Sequence, residues 1–253
     1  MTITCVQSRG ATTDASITLA FAGNITAGNR IVIAVYLQCD ENPVHPFVVG
    51  DIAKTAGTAT IGSWTLDVDI NHSISGNTYQ EATIFSAPVT GTGSCTITIT
   101  DAGKSGLWSI LGIAEFHSDA GDITLEDTDK GEDSTGAPTT GDAVSVGAAV
   151  FVGALSFYTS SGAQTITEDA AFTLIYEEQD GNNHGVGSSI YRIVSSGTTD
   201  AASWTSPTTK SWGAVVAVYK EPVSGASTPM TVTGGDTPSG TIAKQIQKLF
   251  TGG

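Results

Sequence analysis

Three aspartates in one acidic stretch are the first residues of this chain with the makings of a site. The stretch "DAGDITLEDTDKGEDSTGAPTTG" (119–141) carries seven acidic side chains between 119 and 133 against a lone Lys130. Asp127, Asp129 and Asp133 fall at alternating spacing, so their hard oxygen atoms could converge on a calcium ion. The spacing departs from an EF-hand loop: Gly131 takes the fifth place rather than the sixth, and no Glu stands at the twelfth. An acidic run of this kind also reads as a solvated linker between domains. That reading is carried forward, with the three aspartates kept as the metal candidate. Trp204, in "ASWTSPTTKSW" beside a turn, is the aromatic side chain placed to stack on a sugar. Core packing is the competing role for it, as for Trp64, Trp108 and Trp212.

Other chemistry is not assembled. None of His45, His72, His117 and His184 lies in a Cys/His pair with zinc spacing. "HGVGSS" (184–189) lacks the G-x-S-x-G elbow, and "GDTPSGT" (235–241) lacks the lysine of a phosphate loop. Glu177 and Glu178 are adjacent, and on a strand they point to opposite faces. No catalytic residue and no cofactor is assigned, and the expectation is a non-enzyme.

The elements that would carry these residues are strands. Gly is frequent at 30 residues and charged residues make up only 14%, with abundant Thr, Ser, Val and Ala. β-Branched residues suit a pleated surface and Gly suits turns. "CTITIT" alternates like a half-buried antiparallel strand, whereas "GAVVAVY" is continuously apolar, like a strand covered on both faces. No amphipathic helix of ten residues appears before residue 240.

The chain also writes nearly the same strand twice, "LWSILGIAEFHS" at 107–118 and "SWGAVVAVYKE" at 211–221. Other landmarks recur in the same order. Gly28-Asn29 matches Gly141-Asp142, Trp64 matches Phe172, Ile84-Phe85 matches Ile190-Tyr191 and Phe116 matches Tyr219, at offsets of 113, 108, 106 and 103. The fold expected is therefore all-β: two tandem antiparallel β-sandwiches, jelly-roll or immunoglobulin-like, from an internal duplication. The first spans 1–118, an acidic linker 119–141, the second sandwich 142–221, a flexible linker 222–240 and a short helix 241–253.

A net charge of −15 with a pI near 4.3 repels phosphate backbones, which argues against a nucleic-acid partner. The opening "MTITCVQS" already alternates like a strand, so no secretory leader is expected. No apolar run reaches the ~18–20 residues of a membrane span. Cys5, Cys39 and Cys95 are an odd number, so they read as buried thiols of a reducing compartment rather than a disulfide framework.

The last part of the chain differs in character. "PVSGASTPMTVTGGDTPSG" is a Pro/Gly/Ser/Thr linker, followed by "TIAKQIQKLFTGG". Ile242, Ile246, Leu249 and Phe250 recur at i, i+4, i+7 and i+8, one face of a helix. About ten helical residues are marginal alone in water. This face is the candidate anchor, on the chain's own body or on a partner.

The paired motifs "GNRIVIAVY", "SWTLDVD", "ATIFSAPVTG" and "YRIVSSGTTDAASWT…SWGAVVAVYK" resemble those of β-sandwich proteins of tailed-phage virions, related to tandem β-sandwich proteins of bacterial surfaces. The resemblance covers 16–220 and implies a non-enzymatic fibre, spike or capsid-decoration component. It also implies assembly in the host cytoplasm, other virion proteins and further copies of itself as partners, and no membrane. A secreted carbohydrate-binding or adhesin module, taking a host-surface glycan, is the alternative.

Overall fold

A computed structural model describes residues 2–222 apart from 14–15, 40–45, 76–77, 101–107, 159–163, 180–184 and 209. The expected linker beyond Pro222 and the helix carrying Ile242, Ile246, Leu249 and Phe250 lie outside the described residues, as do His45 and His184.

The chain is all-β. The first repeat contributes β1 (Ile3–Thr13), β2 (Ile17–Ala20), β3 (Arg30–Cys39), β4 (Ile52–Ala56), β5 (Thr60–Ile61), β6 (Thr65–Ser75), β7 (Thr78–Gly91), β8 (Thr96–Ile99) and β9 (Trp108–Ser118). The second contributes β10 (Thr124–Asp133), β11 (Ala143–Ser145), β12 (Ala149–Tyr158), β13 (Thr167–Glu168), β14 (Thr173–Gln179), β15 (Gly185–Val194), β16 (Thr198–Asp200), β17 (Trp204–Thr205) and β18 (Trp212–Lys220).

Two large antiparallel sheets share one order over five strands, and β5 adds to β7 of the first. One runs β1-β9-β3-β7-β6, the other β10-β18-β12-β15-β14. A small sheet β2-β8-β4 covers the outer face of the first, and the pairs β11-β16 and β13-β17 cover the second. The two large sheets then pack on each other. Val32, Ala34, Ile84 and Phe116 of the first share a core with Val150, Val152, Val215 and Tyr219 of the second. This explains the continuous apolar runs in the central strands, which have no solvent face. The two sandwiches, each a large sheet with its own cover, thus pack into one compact unit over residues 1–222.

The acidic stretch is not a linker. Its residues 124–133 form β10, the edge strand of the second large sheet, paired with β18 from Thr124↔Lys220 to Asp133↔Trp212. An exposed strand edge invites pairing with other chains, and charge on that edge opposes it. Composition alone does not separate a charged edge from a solvated linker.

β-Bulges fix the correspondence of the repeats. Each large-sheet edge carries one toward the Pro222 end: Cys5/Gln7 in β1, Leu125/Asp127 in β10, Leu66/Val68 in β6 and Leu174/Tyr176 in β14. Cys5 lies opposite Phe116 and Leu125 opposite Tyr219, so that landmark pair is true. Leu66 lies opposite Phe85 and Leu174 opposite Ile190, so Phe85, not Ile84, matches Ile190. Gly141-Asp142 leads into β11, the counterpart of β2, and does not match Gly28-Asn29.

The twin tryptophans are slipped by one residue. Trp108 points between the large sheets beside Tyr36, while Trp212 points to the outer core of the second repeat. A slip of one reverses the face of a strand side chain. Both are buried, in different layers.

The contacts between repeats are reciprocal, as in an isologous dimer. Edge β1 faces β14, where Gly10 leaves room for the ring of Tyr176. The equivalent edge β10 faces β6, where Lys130 Nζ donates to the Asp69 carbonyl at 3.1 Å.

Candidate functional site

The sheets have two unlike ends. At one end, the chain leaves or enters the sheets at Thr13, Cys39, Ser75, Thr78, Trp108, Tyr158, Gln179, Gly185 and Trp212. At the other lie the crossover between repeats and the exit at Pro222.

At the end far from Pro222 the layer between the large sheets changes from aliphatic to polar. The first repeat supplies Tyr36, Gln38, His72, Gln80 and Trp108. By register, Tyr36, Gln80, Ala82, Trp108 and Ile110 correspond to Ser156, Gly185, Gly187, Ser211 and Gly213. One repeat therefore carries bulk where the other is hollowed. A Cβ on Gly187 would stand 2.8 Å from Tyr36 Cβ, and one on Gly185 2.1 Å from Tyr36 Oη. Two identical faces could not both hold a tyrosine near the axis, so the duplication has diverged into a knob and its socket. Trp108 meets Tyr36 edge-on, with centroids 5.2 Å apart and planes at 70°.

Hydrogen bonds run across this layer. Gln80 Nε2 donates to Tyr36 Oη at 3.0 Å, and Tyr36 Oη donates to Gln38 Oε1 at 3.0 Å. On the neighbouring strand, His72 Nδ1 donates to Glu132 Oε2 of β10 at 3.0 Å, joining the repeats. His72 Nε2 and Gln80 Oε1 are buried with no hydrogen-bond partner.

The opposite end is tied by Arg30. Its guanidinium donates to Ser86 Oγ at 3.0 Å, to Asp122 Oδ2 at 3.1 Å and to the Ile123 carbonyl, fastening the crossover to the first repeat. Beside it, Tyr219 Oη donates to Asp67 Oδ2 at 2.6 Å. Asp67 is the bulged residue of β6, and burial raises its pKa despite that bond and the nearby guanidinium. Below the outer layer, the buried Glu115 carboxylate accepts from Gln7 Nε2, the Thr26 amide and Asn29 Nδ2 at 2.7, 2.8 and 2.6 Å. Asn29 Oδ1 accepts in turn from His117 Nδ1 at 2.8 Å.

The aspartates of β10 do not converge. Asp127 accepts from the Val144 amide at 2.8 Å, Asp129 from Lys130 at 2.7 Å and Asp133 from Ser134 at 2.6 Å. The first and last stand six strand positions apart, roughly 20 Å. Among the described residues no group of three or more His, Cys, Asp or Glu is placed to hold a metal. Asp127 and Glu126, which reaches the Val146 amide, hold the corner that leads into β12. Trp204 is not a surface stacking residue either. It is 1% exposed in the outer core, with its indole N–H on Ser188 Oγ at 3.1 Å. Its short strand pairs with β13 at Glu168, which folds the turn-flanked segment inward.

Glu177, on the outer side of β14 opposite Ser188, is a carboxylate whose burial is not revealed by its adjacency to Glu178 along the chain. Burial, then the charges of Glu168 and Glu178, push its pKa up from 4.5 to about 7, against a hydrogen bond from Ser188. The folded state then holds this proton more tightly than the unfolded state. Its contribution to stability is present below pH 4.5 and is lost as pH rises to about 7. Glu177→Gln should therefore raise the melting temperature at pH 8 more than at pH 5, measured by thermal denaturation. Equal shifts at both values would show that the carboxylate is not destabilised by its surroundings.

Comparison with family models, with curated proteins and with solved structures returns no match.

Proposed function

We propose that this protein is a non-enzymatic structural component of a tailed-phage virion, held by its C-terminal segment with the end of the sheets far from Pro222 outward. The observation that carries the display geometry is the opposition of the two ends. The exit at Pro222 lies beside the crossover, and the strand ends that carry Tyr36, Gln80 and Trp108 lie at the far end. Val6, Leu125, Val144, Val146, Leu174 and Ile193 are exposed apolar side chains near the strand ends at the exit side, which supports attachment there. The virion assignment itself rests on the sequence resemblance, and with it the reading of host-cytoplasmic assembly and of virion proteins and sister copies as partners. The adhesin alternative loses its named glycan contact, because Trp204 is core.

Mass spectrometry of particles purified by density gradient tests the reading. The chain should be present at a fixed copy number that survives high-salt washing. Its absence from particles, with the protein recovered in the medium instead, would favour the secreted module.

A further inference from the structure

His72 and Gln80 are directly opposed on β6 and β7, with both side chains turned between the large sheets. Each has one buried polar atom without a partner, His72 Nε2 and Gln80 Oε1, and the two do not bond to each other. Gln80 is 1% exposed, so solvent does not reach its oxygen from outside. The other bonds of the two side chains set what each atom offers. With its Nδ1 hydrogen given to the Glu132 carboxylate, the Nδ1–H tautomer of His72 presents Nε2 as an acceptor. Gln80 Nε2 gives its hydrogens to Tyr36 Oη at 3.0 Å and toward Gln38 Oε1 at 3.4 Å, which leaves Oε1 as an acceptor too. Two neighbouring acceptors cannot satisfy each other. They call for a small molecule with two donors.

We propose that this seam is a binding site for one hydrogen-bond donor of the size of water, bridging His72 Nε2 and Gln80 Oε1. With that bridge a hydrogen-bond chain becomes continuous from Glu132 through His72, Gln80 and Tyr36 to Gln38. It crosses four strands, β10, β6, β7 and β3, and couples the edge of the second repeat to the centre of the first at the end far from Pro222. Water is the occupant of choice because it carries two O–H donors and no charge. A buried ammonium would need further acceptors, since each buried unmatched donor is costly. Buried waters of this sort link polar groups that the fold cannot pair directly.

The test uses the full chain, in ammonium-free buffer and again with ammonium chloride. Water–protein NOE spectroscopy should show a long-lived water at the His72 ring in both buffers, and 15N spectra should show the Nδ1–H tautomer. Gln80→Leu should abolish the water contact at His72. A contact seen only with ammonium would make the occupant a cation and overturn the assignment of water. No long-lived water, an Nε2–H tautomer, or a contact unchanged in Gln80→Leu would overturn the site itself. If Gln80→Leu does not fold, the tautomer and water contact of the native chain decide alone.

Discussion

Produced separately, residues 1–122 and 123–222 should each fail to fold as a soluble monomer, and should recover a native-like complex when mixed or co-expressed. Each half has its own large sheet and small covering sheet, but each large sheet also has a second apolar face. On the first repeat that face includes Ile3, Val32, Ile70, Ile84 and Phe116, all buried in the intact chain. At about 1.5–3 kcal/mol for each large side chain exposed, the loss matches the whole net stability of a domain, about 5–15 kcal/mol. Nor should a half cover itself with a second copy. A pair of first repeats would set Tyr36, Gln80 and Trp108 against their own kind where the second repeat offers Ser156, Gly185 and Ser211. A pair of second repeats would leave a hole in the same place. Size-exclusion chromatography and dispersion of amide NMR signals check this. A cooperative melt and dispersed spectrum from 1–122 alone would show that the shared layer is not what holds the fold.

The sequence made the duplication legible because strands of one repeat must meet the same neighbours as those of the other. Phe116 and Tyr219, or the "WTL" and "FTL" strands, keep their type for that reason. What it hid was the relation between the copies. A second covered face shows only as a longer apolar run, as in "GAVVAVY", and such a run does not say what covers it. The clue that survives in the sequence is Gly185, Gly187 and Gly213 inside strands, since glycine there marks a close approach. The candidate site was less legible still. His72, Gln80, Tyr36 and Glu132 come from four strands, and no spacing along the chain draws them together. Trp204 and the three aspartates misled for one reason. Their neighbours in sequence resemble loops, whereas their neighbours in space are a core and a sheet edge.

The strongest loss of function should come from the C-terminal segment. Removing residues 223–253 should leave the melting temperature of the body nearly unchanged and abolish incorporation into particles. The first half of this expectation rests on the register. Both large sheets are complete at Lys220, which closes against Thr124 and Ala149, and the Glu221 amide donates to the Ala148 carbonyl at 3.1 Å. The second half rests on the sequence of the segment. Ile242, Ile246, Leu249 and Phe250 share one face at helical spacing, and Lys244 and Lys248 bring positive charge to a chain of net −15. Four such side chains, at about 1.5–3 kcal/mol each when buried, are enough to hold a short helix on a partner, more so when many copies bind side by side. Ile246→Asp combined with Phe250→Asp should reproduce the deletion, read as loss of the chain from purified particles with an unchanged melt of the free protein. A much lower melting temperature would instead mean that this face covers the chain's own body. Normal incorporation would move the anchor to the exposed apolar residues of the exit end, beginning with Val146.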